Sequence, residues 1–265
     1  MFKRRCAYAW YFIFGLCAGS YQVTAAEPLS IGLGDVDYGP FYYSRNDRTT
    51  GISIEIVEQV LASIEQPYVI KRRAWTRLLS ELEAGQVDLV TVIYENQERL
   101  PKFQYVHPAY LLDMISLLCA SPCPINYQGK LESVAPHYIG VVRNYSYGQV
   151  IDGNYSFQRQ EIENEKLLFK LMQLGKLELA LAAKSRHRWF SRSYGPSKQI
   201  EALADVEPIP VYFAFSPLVD KALVDKFTAA LEPYLHSDSY QSLLKKYQMQ
   251  SFSITHSPTQ EQNGN

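Results

Sequence analysis

The chain has 265 residues, 26 of them basic and 27 acidic, and 47% are hydrophobic. A charge this close to balance excludes the basic surplus that nucleic-acid binding requires, so nucleic acid is not an expected partner. The length admits one large domain or two small ones with real cores.

Lys3, Arg4 and Arg5 precede an apolar run from Ala7 to Ala18 and small residues ending at Thr24, Ala25 and Ala26. This is the pattern of a signal peptide cleaved after Ala26. The run is too short to span a bilayer and no later segment is long enough to try, so the mature chain is expected in the periplasm. It keeps 23 basic against 27 acidic residues, a net charge of −4. Of four cysteines only Cys119 and Cys123 remain, and an oxidising compartment favours a disulfide between them. No second Cys or His pair lies near them at zinc-ligand spacing. We expect no metal and no cofactor.

From Leu29 the predicted order is strand "LSIGLG", helix "SIEIVEQVLASIEQ", strand "PYVIKR", helix "WTRLLSELEA" and strand "VDLVTVI". Ile56, Val57, Val60, Leu61 and Ile64 repeat at helical spacing, with Ser53 as the expected N-cap. Gly85 closes the second helix. A second unit begins near Leu112: strand "HYIGVV", a helix from Asn164 to Gly175, and strand "LELALA". After Pro208 and Pro210, "VYFAF" is extended. Helices "KALVDKFTAALEPYL" and "SYQSLLKKY" follow, and the polar tail from Ser251 reads as disordered. Strands alternating with helices predict an α/β fold with a mostly parallel sheet. Order alone leaves open one continuous sheet or two lobes joined twice. The basic clusters Lys71 to Arg77 and Lys184 to Arg192 read either as solvated faces or as anion sites.

Several blocks, in order, resemble the family 3 extracellular solute-binding proteins of amino-acid ABC transporters. They are "DYGPFYY" (Asp37 to Tyr43), "GISIEI" (Gly51 to Ile56), the Trp75 to Asp88 pattern, "ERLPKFQYVHPAY" (Glu98 to Tyr110), "IGVVRNYSYG" (Ile139 to Gly148) and "LHSDSYQSLLKKY" (Leu235 to Tyr247). They cover essentially the whole mature chain. The resemblance implies a two-lobed, type II periplasmic binding protein-like clamshell. Lobe one would take residues 27–110 and 211–250 and lobe two 111–210, with two extended crossings as the hinge and the solute between the lobes. It also implies a small-molecule ligand, delivery to an inner-membrane permease or a sensor, and no catalysis. We expect a monomer.

By position, Arg99 is the arginine that in the family forks onto the ligand's carboxylate. A planar guanidinium offers two parallel donors to that group. The alternative is a surface arginine paired with Glu95 or Glu98. Phe41 and Trp75 are expected to wall the cleft, and Tyr38 and Tyr42 fall either there or in the core. Asn144, Tyr145 and Ser146 precede a helix expected near Tyr147 and offer amide and hydroxyl donors. Two departures stand out. Tyr94 replaces the small hydroxyl residue five positions before the arginine. The lobe-two aspartate that pairs with an α-ammonium falls at Ala183, beside Lys184, which is expected to face the ligand. If Lys184 instead points to solvent, Asp35 or Asp37 would hold an ammonium. A second reading, an exported dehydratase acting on a cyclic carboxylate, would need Glu95 or Glu98 as its acid.

Overall fold

The computed structural model describes residues 26–193 and 200–252. The expected leader, but for its last residue, and the tail beyond Phe252 lie outside the described residues.

β1 (Leu29–Gly34) is buried along its whole length, as a strand covered on both faces must be. It is followed by a short hairpin, β2 (Tyr43–Arg45) and β3 (Arg48–Thr50), then α1 (Ile52–Ser63), β4 (Tyr68–Arg73), α2 (Trp75–Glu83) and β5 (Leu89–Ile93). β4 and β5 flank β1 in parallel. β6 (Gln104–Tyr105) leads into β7 (Leu111–Ala120). Next come a 3-10 turn (Leu131–Val134), β8 (Tyr138–Val142), α3 (Gln149–Asp152), β9 (Gln158–Ile162), α4 (Glu165–Gln173), β10 (Leu179–Ala183) and α5 (Lys184–Ser193). The chain returns along β11 (Ile200–Phe215) and ends in α6 (Lys221–Leu235) and α7 (Asp238–Tyr247).

The strand order is β4-β1-β5-β11-β7-β10-β8-β9, with β6 also on β11. β8 pairs in parallel with β10 and β9, as β1 does with its neighbours, giving two parallel half-sheets. Between them β7 and β11 run antiparallel, from Val211 opposite Leu111 to Ile200 opposite Ala120, with register shifts between Ala202 and Ala204 and between Asp205 and Glu207. These two strands are the crossings, and the fold is the two-lobed α/β clamshell. Pro208 and Pro210 sit where β5 has not yet joined β11, so only one edge of the strand is paired there.

The entry to α1 departs from expectation and bears on the site. Ser53 is not the cap: it is buried, and its Oγ meets the Tyr110 hydroxyl at 2.6 Å. Gly51, at φ +132°, precedes the helix. The first helical N–H groups donate instead to the carbonyls of Pro40 (2.9 Å) and Phe41 (3.1 Å). The turn carrying Tyr38 and Tyr42 is thereby tied to the helix end. Gly85, at φ +71°, closes α2, and Asn164 Oδ1 accepts from Leu167 N to open α4, both as expected.

Candidate functional site

The cleft runs between the loops after β1, β5 and β8 and the starts of α2, α4 and α5. Its inner cavity, about 30 Å³, is bounded by Tyr38, Tyr42, Trp75, Val92, Ile93, Tyr94, Arg99, Tyr145 and Ser146. A second space of about 60 Å³ adjoins it, sharing Tyr38, Tyr42, Trp75 and Tyr145 and reaching Glu165 and Arg186. Outside these lies a wider mouth of about 540 Å³, lined among others by Asp35, Asp37, Arg72, Lys166 and Trp189. A water needs about 10–15 Å³ of such space, so the inner cavities as they stand hold a few waters at most. A solute would enter only with movement of the lobes or of Tyr145, whose ring meets Trp75 edge-on at 5.8 Å and Tyr38 at 6.1 Å.

Arg99 is placed by the turn after β5, where its N–H donates to Asn96 Oδ1 at 2.9 Å. Its guanidinium is buried, sits 5.7 Å from the Trp75 ring, and donates to the carbonyls of Tyr94 (3.1 Å) and Asn144 (2.5 Å). Burial lowers its pKa from the ordinary arginine value. Among the described residues no carboxylate lies within ion-pair distance of it. Glu98 pairs outward with Lys102 at 3.4 Å, and Glu95 with His107 at 3.2 Å; neither bounds the inner cavities.

Tyr42 is fixed by the Gly34 N–H, which donates to its hydroxyl at 3.1 Å, while burial pushes its pKa to about 12. Burial likewise raises Tyr38, Tyr94 and Tyr145 well above the ordinary tyrosine value. These rings are neutral hydrogen-bonding walls. The Tyr94 hydroxyl is buried without a hydrogen-bond partner in the structure; Tyr38 is near enough to influence its ionisation but lies outside bonding geometry.

Phe41 does not wall the cleft. It is fully buried, stacks beneath Tyr38 at 5.6 Å and belongs to the core. Lys184 is also displaced: it pairs with Asp205 at 2.5 Å, away from the cavities. The helix expected near Tyr147 begins at Gln149 and has four residues. Ser146 bounds the cavity, but its hydroxyl donates to Asp152 at 2.5 Å. Asn144 contributes its carbonyl, which takes the Trp75 Nε1–H at 2.9 Å as well as Arg99, while its amide donates to Thr76 Oγ1. Asp37 is held by Arg72 at 3.0 Å at the mouth.

Sequence reasoning missed the pair that lobe two puts into the cleft. Glu165 opens α4 and Arg186 lies on α5; both are buried, with Arg186 Nε donating to Glu165 Oε2 at 2.6 Å. Arg186 also donates to the Gly39 carbonyl across the cleft, and its guanidinium lies 4.0 Å from the centre of the Tyr38 ring. An acid just after an N-cap reads as complementing the helix dipole. Only packing shows that this one faces a buried arginine. Cys119 and Cys123 are joined at the end of β7, their Cα atoms 5.7 Å apart. Among the described residues no cluster of His, Cys, Asp and Glu could hold a metal, and no helix is long and apolar enough to cross a membrane.

Two lobes around a cleft walled by aromatic rings and holding two buried arginines, Arg99 and Arg186, define a solute-receptor architecture. Residues 31–250 match the model of the bacterial extracellular solute-binding proteins, family 3, and the chain belongs to that family. Comparison with curated proteins gives no match. Among solved structures, the chain is similar to a histidine kinase sensor domain with similarity to periplasmic binding proteins. That likeness has a TM-score of 0.76 and 16% identity over 86% of this chain and 99% of the other. It is also similar to an ancestral arginine-binding protein bound to arginine (TM-score 0.72, 14% identity, 84% and 99% covered). A third is the arginine-, lysine-, histidine-binding protein ArtJ from Geobacillus stearothermophilus (TM-score 0.71, 17% identity, 88% and 97% covered). At these identities the likeness is one of fold.

Proposed function

We propose that this solute-binding protein captures a small carboxylate-bearing solute between its lobes, with Arg99 as the carboxylate grip. Lobe one would comprise residues 27–110 and 211–250, and lobe two 111–210, with the hinge near 108–112 and 208–213. The exported monomer then presents the solute to an inner-membrane permease. Delivery to a sensor is the second reading, favoured by the likeness to a kinase sensor domain.

One observation supports the carboxylate most directly. Arg99 is a buried cation at the cavity wall whose guanidinium donates to carbonyls, with no carboxylate within ion-pair distance among the described residues. A buried charge without a counter-charge is costly, and an anionic solute would supply one. Tyr38, Tyr42 and Trp75 give it rigid contact area at little cost in side-chain entropy.

Arg99→Ala is the test. Removing one partner of a buried charged pair costs about 2–5 kcal/mol of binding. The variant should keep its circular dichroism and lose the thermal shift that carboxylic acids give the parent. Arg99→Lys should recover little, because a point charge cannot reproduce the fork. An alanine variant that binds acids as the parent does would move the site elsewhere.

A further inference from the structure

The charges buried at the inner cleft set what kind of carboxylate fits. Arg99, Arg186 and Glu165 are 7%, 5% and 5% exposed. Glu165 and Arg186 pair within lobe two, whereas Arg99 has no carboxylate within ion-pair distance among the described residues, with Asp152 and Glu98 acting on it only from farther off. Of the other charged groups, the buried Asp113 accepts from Ser185 and Asp152 accepts from Ser146 behind the walls, while Asp35, Asp37, Glu163, Arg72 and Lys166 lie at the rim or mouth, and Asp37 and Arg72 neutralise each other. Exposed charges of this kind contribute little to holding a ligand ion.

The surroundings of Arg186 are those of a cation subsite: the face of Tyr38, the Glu165 carboxylate and the Gly39 carbonyl. The protein's own side chain fills it. At Ala183, where the family resemblance placed an acid for an ammonium, there is a buried methyl group, and Lys184 beside it turns to Asp205. A zwitterion would bring its ammonium into a space whose deep acids are already taken, Glu165 by Arg186 and Asp113 by Ser185 and the Met114 N–H, and would meet Arg186 as a like charge. A monoanion would meet Arg99 without bringing a second cation up to Arg186.

We propose that the solute is a monocarboxylate without an ammonium group, its uncharged body lying between the tyrosine and tryptophan rings, with Arg186 standing where an ammonium would otherwise bind. This rests on Arg99 gripping a carboxylate.

Calorimetry on the purified protein with acids paired by an α-amino group tests it: butanoate with 2-aminobutanoate, 4-methylpentanoate with leucine, and 3-phenylpropanoate with phenylalanine. The unaminated member of any binding pair should bind at least tenfold more tightly. Amino acids that bind as well or better overturn the proposal and leave the carboxylate grip standing. If none of the six binds, the grip falls and the proposal with it. In Arg186→Met, Glu165 is freed and the preference should shrink by tenfold or more toward the amino acid. Should that variant not fold, Glu165→Gln, which leaves Arg186 uncompensated, should widen the preference instead. A preference unmoved in whichever variant folds would place the pair outside recognition and overturn the proposal.

Discussion

Lys184 and Arg186 lie two residues apart on α5 and do different work, which shows how little a run of like charges says about any one member. Lys184 is half-exposed and holds Asp205 below the ordinary carboxylate range, chiefly through their hydrogen bond, whereas Arg186 is buried in the cleft. Lys184→Ala should leave acid affinity within about twofold and cost about 0.2–1 kcal/mol of stability, the usual worth of an exposed pair. Because the Asp205 pKa is depressed, the pair's contribution is present above the unfolded value of about 3.9 and lost as pH falls through the folded value. In the variant, the Asp205 titration midpoint by NMR should rise and that acid-side loss should shrink. A large fall in acid binding would return Lys184 to the site. Of the residues picked out from sequence, Tyr38, Trp75, Tyr94, Arg99 and Ser146 do bound the inner cavity, and Phe41 does not. Four aromatics fall within six residues of one turn, from Tyr38 to Tyr43. Which ring faces the core is set by how that turn docks on α1, and no periodicity encodes it.

At the scale of elements, the alternation from β1 to β5 was legible because buried parallel strands are short apolar runs and the helices between them carry a clear apolar stripe. The β2–β3 hairpin went unread: its turn residues, Asn46 and Asp47, both take positive φ (51° and 57°), but the strands are too short and polar to announce themselves. The 16-residue β11 was legible only in its last part, because Asp205, Glu207 and two prolines interrupt the pattern in the part that pairs with β7 alone. The Ser53 cap failed for a related reason, since the turn before α1 supplies backbone carbonyls to the helix start and needs no side chain. That junction predicts a sensitive position. A Cβ on Gly51 would come within 2.2 Å of the Phe41 carbonyl oxygen, at a φ that L-residues avoid. Gly51→Ala should cost at least about 2–3 kcal/mol in urea denaturation. Gly129→Ala, also at positive φ but with open space around it, should cost only about 1 kcal/mol. Equal losses would show that backbone conformation alone, and not the contact with Phe41, matters at Gly51.

For the whole molecule, the lobes meet through identifiable contacts, among them Trp75 and Arg99 on the Asn144 carbonyl, the Asn144 amide on Thr76, Arg186 on the Gly39 carbonyl, Arg188 on the Gln248 carbonyl, and the Trp189 ring 4.5 Å from that of Tyr43. The bonds from Trp75 and the Asn144 amide are worth about 0.5–1.5 kcal/mol each net and those from the guanidinium groups about 1.5–3 kcal/mol each, so a perturbation of a few kcal/mol should shift the balance between apposed and parted lobes. Gly39 offers a way to do so without touching either core. A Cβ there would lie 2.1 Å from the indole of Trp189 on the opposite lobe, and Gly39 does not occupy the positive-φ region. Gly39→Ala should therefore act as a wedge, raising the radius of gyration in small-angle scattering and lowering acid affinity in proportion to the lost closed fraction. Its thermal unfolding should stay near that of the parent, because the strain is relieved by parting the lobes. Trp189→Ala in the same chain removes the obstacle and should restore closure with acid present, which separates a wedge from local damage at the Pro40 turn. If Gly39→Ala scatters and binds as the parent does, Trp189 yields without the lobes moving. If the parent's scattering is also unchanged by a saturating acid, closure about β7 and β11 is not how this protein holds its solute.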